Sequence, residues 1–324
     1  MATYKEIRGT QIEAVATDPS NPVEGQVWYN TTSNVLKGQA ATGAAAWASG
    51  GNMNTGRRVL MGSGIQTSAL AYGGYSDTGT VAITESYNGA NWTEVSDLNT
   101  ARTVGGSAGS SNTDALCIGG SSAATEKWNG SSWTEVNDLT TARQALGGAG
   151  TSTLALAFGG GLPPGSGQVA NTESWNGTNW TEVNDLNTAR KNLPNIGTYT
   201  SALCAGGAVE PPVVANCESW NGTNWTEVND LNTAREQLAG DGASNTAAII
   251  FGGNPGNKAN TEIWNGTNWT ETTDLSTGRS NLAGAGTSTL GLAFGGANPP
   301  GTNLTATEEF TNAGTGLTRT FTDS

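Results

Sequence analysis

The sequence predicts an all-β protein: a six-bladed β-propeller with four antiparallel strands per blade, its ring closed by an N-terminal strand near Trp47. Three observations carry that expectation. One segment recurs along the chain with a period of about 45 residues, the length of a propeller blade. Turn residues interrupt every unit too often for a helix of ordinary length, and glycine alone supplies 47 of the 324 residues. The apolar residues fall in short runs bounded by turn signals, the pattern of strands buried on both faces.

The repeat is explicit. The string Glu-x-aromatic-Asn-Gly-x-x-Trp-Thr-Glu begins at Glu85, Glu126, Glu173, Glu218 and Glu262, with a degraded copy at Glu308. A Gly-Gly pair precedes each copy, at Gly73-Gly74, Gly119-Gly120, Gly159-Gly160, Gly206-Gly207, Gly252-Gly253 and Gly295-Gly296. An arginine opens each unit, at Arg57, Arg102, Arg143, Arg190, Arg235 and Arg279. Within a unit the first strand follows the arginine and is rich in Gly and Ala, as crowding around an axis requires. The second is an apolar run ending in the Gly pair, such as Thr153 to Phe158. The third, for example Thr172 to Trp175, runs into Asn176-Gly177, and the fourth starts at Trp180. Asn-Gly between aromatic-bearing strands predicts a hairpin, because both residues tolerate positive φ. One such sheet cannot cover both of its faces, so the units must stack, and this period points to radial blades.

Trp47 precedes Arg57 by the same interval that separates Trp92 from Arg102, and the sixth unit lacks a Trp-Thr-Glu segment after Phe310. The strand around Trp47 is therefore expected to complete the sixth blade and remove exposed sheet edges. Residues 1–46 are left as an attachment segment with a hairpin at 22–38, and residues 47–324 as the propeller. An extra strand on the sixth blade is the other reading of that hairpin.

Composition narrows function. A formal net charge of −13 opposes binding to nucleic acid. No apolar stretch is long enough to insert into a membrane as a helix, and residues 1–9 hold no apolar core of a secretory signal. Histidine is absent, which removes the commonest general base and the imidazole metal ligand. Cys117, Cys204 and Cys217 read as buried apolar residues, since their spacing suits neither a disulfide framework nor a zinc site. No catalytic residue, metal site or cofactor is expected. The acidic residues repeat by unit, as in Glu85, Glu94 and Asp97, whereas a catalytic carboxylate pair would be unique. The repeated arginines either pair with those acids or form a positive ring facing an anionic ligand.

The Gly-Gly after an apolar strand, the aromatics on the next two strands and the Trp followed ten residues later by Arg resemble the kelch family. That resemblance implies the propeller fold. It departs from many kelch repeats in carrying Leu-Asn-Thr-Ala-Arg-like segments in place of Met-Pro, and its lack of histidine opposes the copper chemistry that some kelch scaffolds host. Near the N-terminus, Gly25-Gln-Val-Trp28-Tyr29-Asn-Thr-Thr32 followed by Leu36-Lys37 resembles segments of virion structural proteins from tailed bacteriophages. That resemblance implies attachment to other virion proteins, with Trp28 and Tyr29 as contact residues.

The connection between second and third strands varies most between units. Tyr75, Pro163-Pro164, Pro211-Pro212, Asn254 and Pro299-Pro300 stand in these loops, which are either a ligand-binding face stiffened by proline or ordinary surface variation. The leading expectation is a non-enzymatic virion protein, in a tail or on a capsid, that exposes this face to a host surface glycan or protein. Self-association stays open. A secreted or cell-surface carbohydrate-binding or adhesive propeller is the alternative, and a glycoside hydrolase is a remote third.

Overall fold

The computed structural model describes residues 12–19, 26–39, 44–210, 212–299, 301–312 and 318–321. These form strands and turns without a helix, so none is long and apolar enough to cross a membrane. The chain divides into two compact units, Ala46–Thr311 and a smaller one that joins Met1–Ala45 to Asn312–Ser324. The sequence reading carried the repeat region to residue 324. The chain instead leaves it after Thr311, because Thr318–Phe321 pairs antiparallel with Val35–Gln39. Val27–Asn30 and Glu13–Val15 complete that small sheet, so the N-terminal hairpin does not extend the sixth repeat.

The larger unit contains six four-stranded antiparallel sheets on one plan, a propeller-like arrangement. In the first, Met61–Ile65, Ser68–Tyr72, Thr84–Tyr87 and Trp92–Val95 lie side by side in chain order. In the sixth, Ala283–Gly286, Leu290–Phe294 and Thr307–Thr311 are followed by Ala46–Ser49, with Trp47 opposite Phe310. First strands touch in sequence around the unit, and the sixth touches the first. Their glycines make that approach feasible: a Cβ on Gly148 would lie 2.2 Å from the Ser107 carbonyl oxygen of the neighbouring sheet. The apolar core lies between sheets. Leu116 and Ile118 of one sheet pack with Ala155, Ala157, Trp175 and Trp180 of the next. Each fully buried Leu or Ile side chain there contributes about 1.5–3 kcal/mol.

Two interactions stitch sheet to sheet around the whole unit. The fourth-strand tryptophan donates its Nε1–H to a threonine hydroxyl on the preceding sheet: Trp92 to Thr307 at 2.9 Å, Trp133 to Thr84 at 3.0 Å, Trp180 to Thr125 at 3.2 Å, Trp225 to Thr172 at 3.1 Å and Trp47 to Thr261 at 3.0 Å. The irregular step is Trp269, whose Nε1 makes no well-formed hydrogen bond and has only the Cys217 thiol before it; Cys217 is the equivalent position on the preceding sheet, opposite Val228 as Thr172 is opposite Val183. Nearer the first strands, the backbone N–H of Val59 donates to the carbonyl of Asn281, Asn281 to Gln237, Gln237 to Asn192, Asn192 to Ala145, Ala145 to Val104 and Val104 to Val59. This annulus returns to its starting residue. All six adopt left-handed backbone conformations, with φ from 47° to 60°.

The hairpin between third and fourth strands differs from expectation in detail. Tyr87 pairs with Trp92, so the loop has four residues rather than two. Gly89 takes positive φ and Asn88 does not; Asn88 Oδ1 instead accepts the amides of Ala90 and Asn91 at 3.0 and 2.9 Å. Asparagine is there for its side-chain acceptor, which closes an Asx turn.

Candidate functional site

The repeat arginines are buried. Arg57 donates through Nη1 to the carbonyls of Gly73 (2.9 Å) and Ile83 (2.6 Å) and through Nη2 to Glu85 Oε1 (2.9 Å), and neither Arg57 nor Glu85 is exposed. Arg143–Glu173 and Arg190–Glu218 repeat the pair at 2.8 Å, and Arg102–Glu126, Arg235–Glu262 and Arg279–Glu308 complete the series. The other oxygen of Glu85 accepts the backbone and side-chain N–H groups of Asn54 at 2.7 and 2.8 Å. Asn99, Asn187 and Asn232 do the same for their glutamates, which explains the Leu-Asn-Thr segment. Burial pushes the guanidinium pKa of Arg57, Arg143 and Arg279 down, against the opposing pull of the paired glutamate. With both charges enclosed, none of these arginines reaches a ligand at the surface.

The first Gly of each pair anchors the neighbouring unit. Gly73 has φ 62°, and a Cβ there would stand 2.6 Å from the carbonyl oxygen of Arg102, whose oxygen accepts the amide of Gly74 at 2.9 Å. Beyond five of the six pairs, the residue after the repeat arginine forms an antiparallel bridge with the loop: Arg58 with Tyr75, Gln144 with Gly161, Lys191 with Ala208, Glu236 with Asn254 and Ser280 with Ala297. The variable loops and the annulus thus share one face. Three loops are two-stranded ribbons, Tyr75–Ser76 with Gly79–Thr80, Gly161–Leu162 with Ser166–Gln168, and Ala297–Asn298 with Thr302–Asn303.

On that face Tyr75 is 40% exposed, and the Arg58 guanidinium covers its ring at 4.7 Å. Arg58 also donates to the Gly301 carbonyl at 3.2 Å and to Asn303 Oδ1 at 3.3 Å. Beside it lies a cavity of about 530 Å³ lined by Arg58, Asn257, Ser280, Asn281, Asn298 and Pro299 among others. Its polar lining is carboxamide and hydroxyl, with one guanidinium. Pro164 and Pro212 are exposed and Pro163 is half-buried. Asn254 is committed internally: its Nδ2 bonds Gln237 Oε1 at 2.7 Å and Ser280 Oγ at 3.1 Å. Pro211 and Pro300 lie outside the described residues. Sequence reasoning passed over Arg58, Asn257, Ser280 and Asn281. A signal existed in the position after the repeat arginine, which reads Arg58, Thr103, Gln144, Lys191, Glu236 and Ser280 beside an otherwise regular repeat.

In the smaller unit Trp28 is fully buried. Its indole N–H donates to Asp18 Oδ1 at 3.0 Å, where Asn30 Nδ2 also bonds at 2.7 Å, and Lys37 binds Asp18 Oδ2 at 2.6 Å. These partners hold the Asp18 carboxyl down at about 2, the Lys37 bond foremost. Trp28, Asn30 and Lys37 therefore shape their own sheet, and Tyr29, 37% exposed, is the aromatic that faces solvent.

Cys117, Cys204 and Cys217 are buried free thiols, pushed up to about 12 by desolvation. Among the described residues no group of three or more Cys, Asp or Glu is placed to hold a metal. No protein-family model matches the chain, and no curated protein matches it.

Proposed function

We propose that the Ala46–Thr311 unit is a closed six-bladed kelch-like β-propeller that serves, without enzymatic activity, as a surface-exposed virion structural protein of a tailed phage. In this reading the smaller unit joins it to other virion proteins through its sheet and Tyr29, and the loop face binds a host surface glycan. The six repeated sheets, the return of Ala46–Ser49 to the last of them and the annulus support the propeller. The observation that carries the ligand class is the carboxamide- and hydroxyl-lined cavity beside Arg58 and Tyr75. Its size suits one or two sugar rings, its amides match sugar hydroxyls, and an exposed tyrosine offers a stacking surface.

Mass spectrometry of gradient-purified phage particles tests the location, with the chain expected at constant stoichiometry to the major capsid protein. Recovery from cell fractions alone would sink the virion reading. A glycan array with wild type and an Arg58→Ala, Asn281→Ala double variant tests the face. Selective saccharide binding lost in the variant supports it, and the same binding outside particles would favour the secreted adhesin.

A further inference from the structure

The arginines of the larger unit divide by partner. Arg57, Arg102, Arg143, Arg190, Arg235 and Arg279 each meet a glutamate. Arg58 is half-buried and yet has no carboxylate partner among the described residues. Its guanidinium is nevertheless held in place: the Tyr75 ring covers one face at 4.7 Å, and Nη1 donates to the Gly301 carbonyl at 3.2 Å and to Asn303 Oδ1 at 3.3 Å. Nε and Nη2, the side edge of the planar fork, make no hydrogen bond to a described residue. Asp77 is linked to Arg58 through Asn303, whose Nδ2 donates to that exposed carboxylate at 2.8 Å. The cavity that Arg58 lines has no aspartate or glutamate among its described lining residues. Across it, Asn254 Nδ2 donates to Ser280 Oγ at 3.1 Å and Ser280 Oγ to Asn257 Oδ1 at 2.6 Å. With Oδ1 engaged, Asn257 keeps its Nδ2 as a donor, so this lining offers a fixed cation and an amide donor without a competing acid.

On the premise that the loop face binds a glycan, we propose that this ligand is an acidic saccharide, a sugar ring whose carboxylate docks on the Nε–Nη2 edge of Arg58. A half-buried charge without a counterion bears a desolvation cost that an incoming anion offsets. Two parallel N–H groups match the two oxygens of a carboxylate, and such charge-assisted pairs are about twice as strong as neutral hydrogen bonds. Tyr75, Gly301 and Asn303 already hold the guanidinium, so little side-chain freedom is lost on binding. The formal net charge of −13 repels polyanions at long range. Recognition of an acidic sugar therefore has to come from this local contact, not from general attraction.

The test is a saccharide array, read with the full chain, on which every uronate- and sialate-bearing glycan is paired with its methyl ester, beside neutral glycans and dextran sulfate. Wild type should bind an acidic glycan and lose affinity about tenfold or more on esterification, with dextran sulfate unbound; the array separates uronate from sialate. Arg58→Gln should bind acid and ester alike, and Arg58→Lys, which keeps the charge without the fork, should fall between them. The comparison of acid with ester uses wild type alone, so it stands even if a substitution disturbs the loops. Binding confined to neutral glycans, equal binding of acid and ester, or binding that follows sulfate would overturn the acidic ligand and leave the glycan reading intact. An array with no glycan bound would remove both.

Discussion

Cys217 stands where the other five sheets carry Thr84, Thr125, Thr172, Thr261 and Thr307, so Trp269 Nε1 meets a sulfur in place of a hydroxyl oxygen and makes no well-formed hydrogen bond. A thiol is a poor acceptor. Cys217→Thr should therefore supply the missing hydrogen bond and raise unfolding free energy by about 1 kcal/mol in denaturant titrations, whereas the same change at Cys204, which has no tryptophan partner of this kind, should not. The buried ion pairs give the opposite sign. Arg143→Ala strands Glu173 in the core and should lower stability by about 3–5 kcal/mol, while Arg143→Met with Glu173→Leu should recover most of that loss, both read from urea midpoints. The repetition of both charges was legible in the sequence. Which of three acidic series meets the arginine was not, because that depends on which residues of the third and fourth strands and of the turn after them face inward: Glu173 is buried, Glu182 is exposed and Asp185 Oδ1 accepts the Thr172 amide at 3.0 Å.

Strand order within each sheet, and the return of Trp47 to the last one, follow from counting residues between arginine, Gly pair and tryptophan, which is why these elements were legible. The annulus was not, since its six members, Val59, Val104, Ala145, Asn192, Gln237 and Asn281, span four residue types and only their backbone conformation is common to all. A β-branched residue in that conformation is strained, and asparagine tolerates it best after glycine. Val104→Asn should accordingly raise Tm, gaining about 1 kcal/mol, whereas Asn192→Val should lower it by a similar amount; paired thermal melts decide. The same logic explains the small unit. Trp28-Tyr29 suggests an exposed aromatic pair, but strand alternation puts one ring in and one out, and Asp18, ten residues earlier, supplies the acceptor that fixes the choice.

At the scale of the whole molecule, the buried acids of the core make alkali the destabilising direction. Cys117, Cys204 and Cys217 are pushed up to about 12, and burial raises Tyr72 and Tyr87 as well. In the unfolded chain thiols ionise near pH 8.5 and phenols near 10. The unfolded state thus binds fewer protons in that range, and stability, fully present below pH ~8.5, should fall progressively as pH rises toward 12. Chemical denaturation at stepped pH measures the slope, and native thiols should resist alkylation at pH 8. Ala46–Ser49 and Thr307–Thr311 add a matter of timing. During synthesis the strand that emerges first among the six sheets must wait, unpaired, through roughly 260 further residues before its neighbour is made, a loop whose entropy has to be met before the reward arrives. Nascent chains halted short of residue 307 would hold five finished sheets and one gap, open to a matching strand from another ribosome's product.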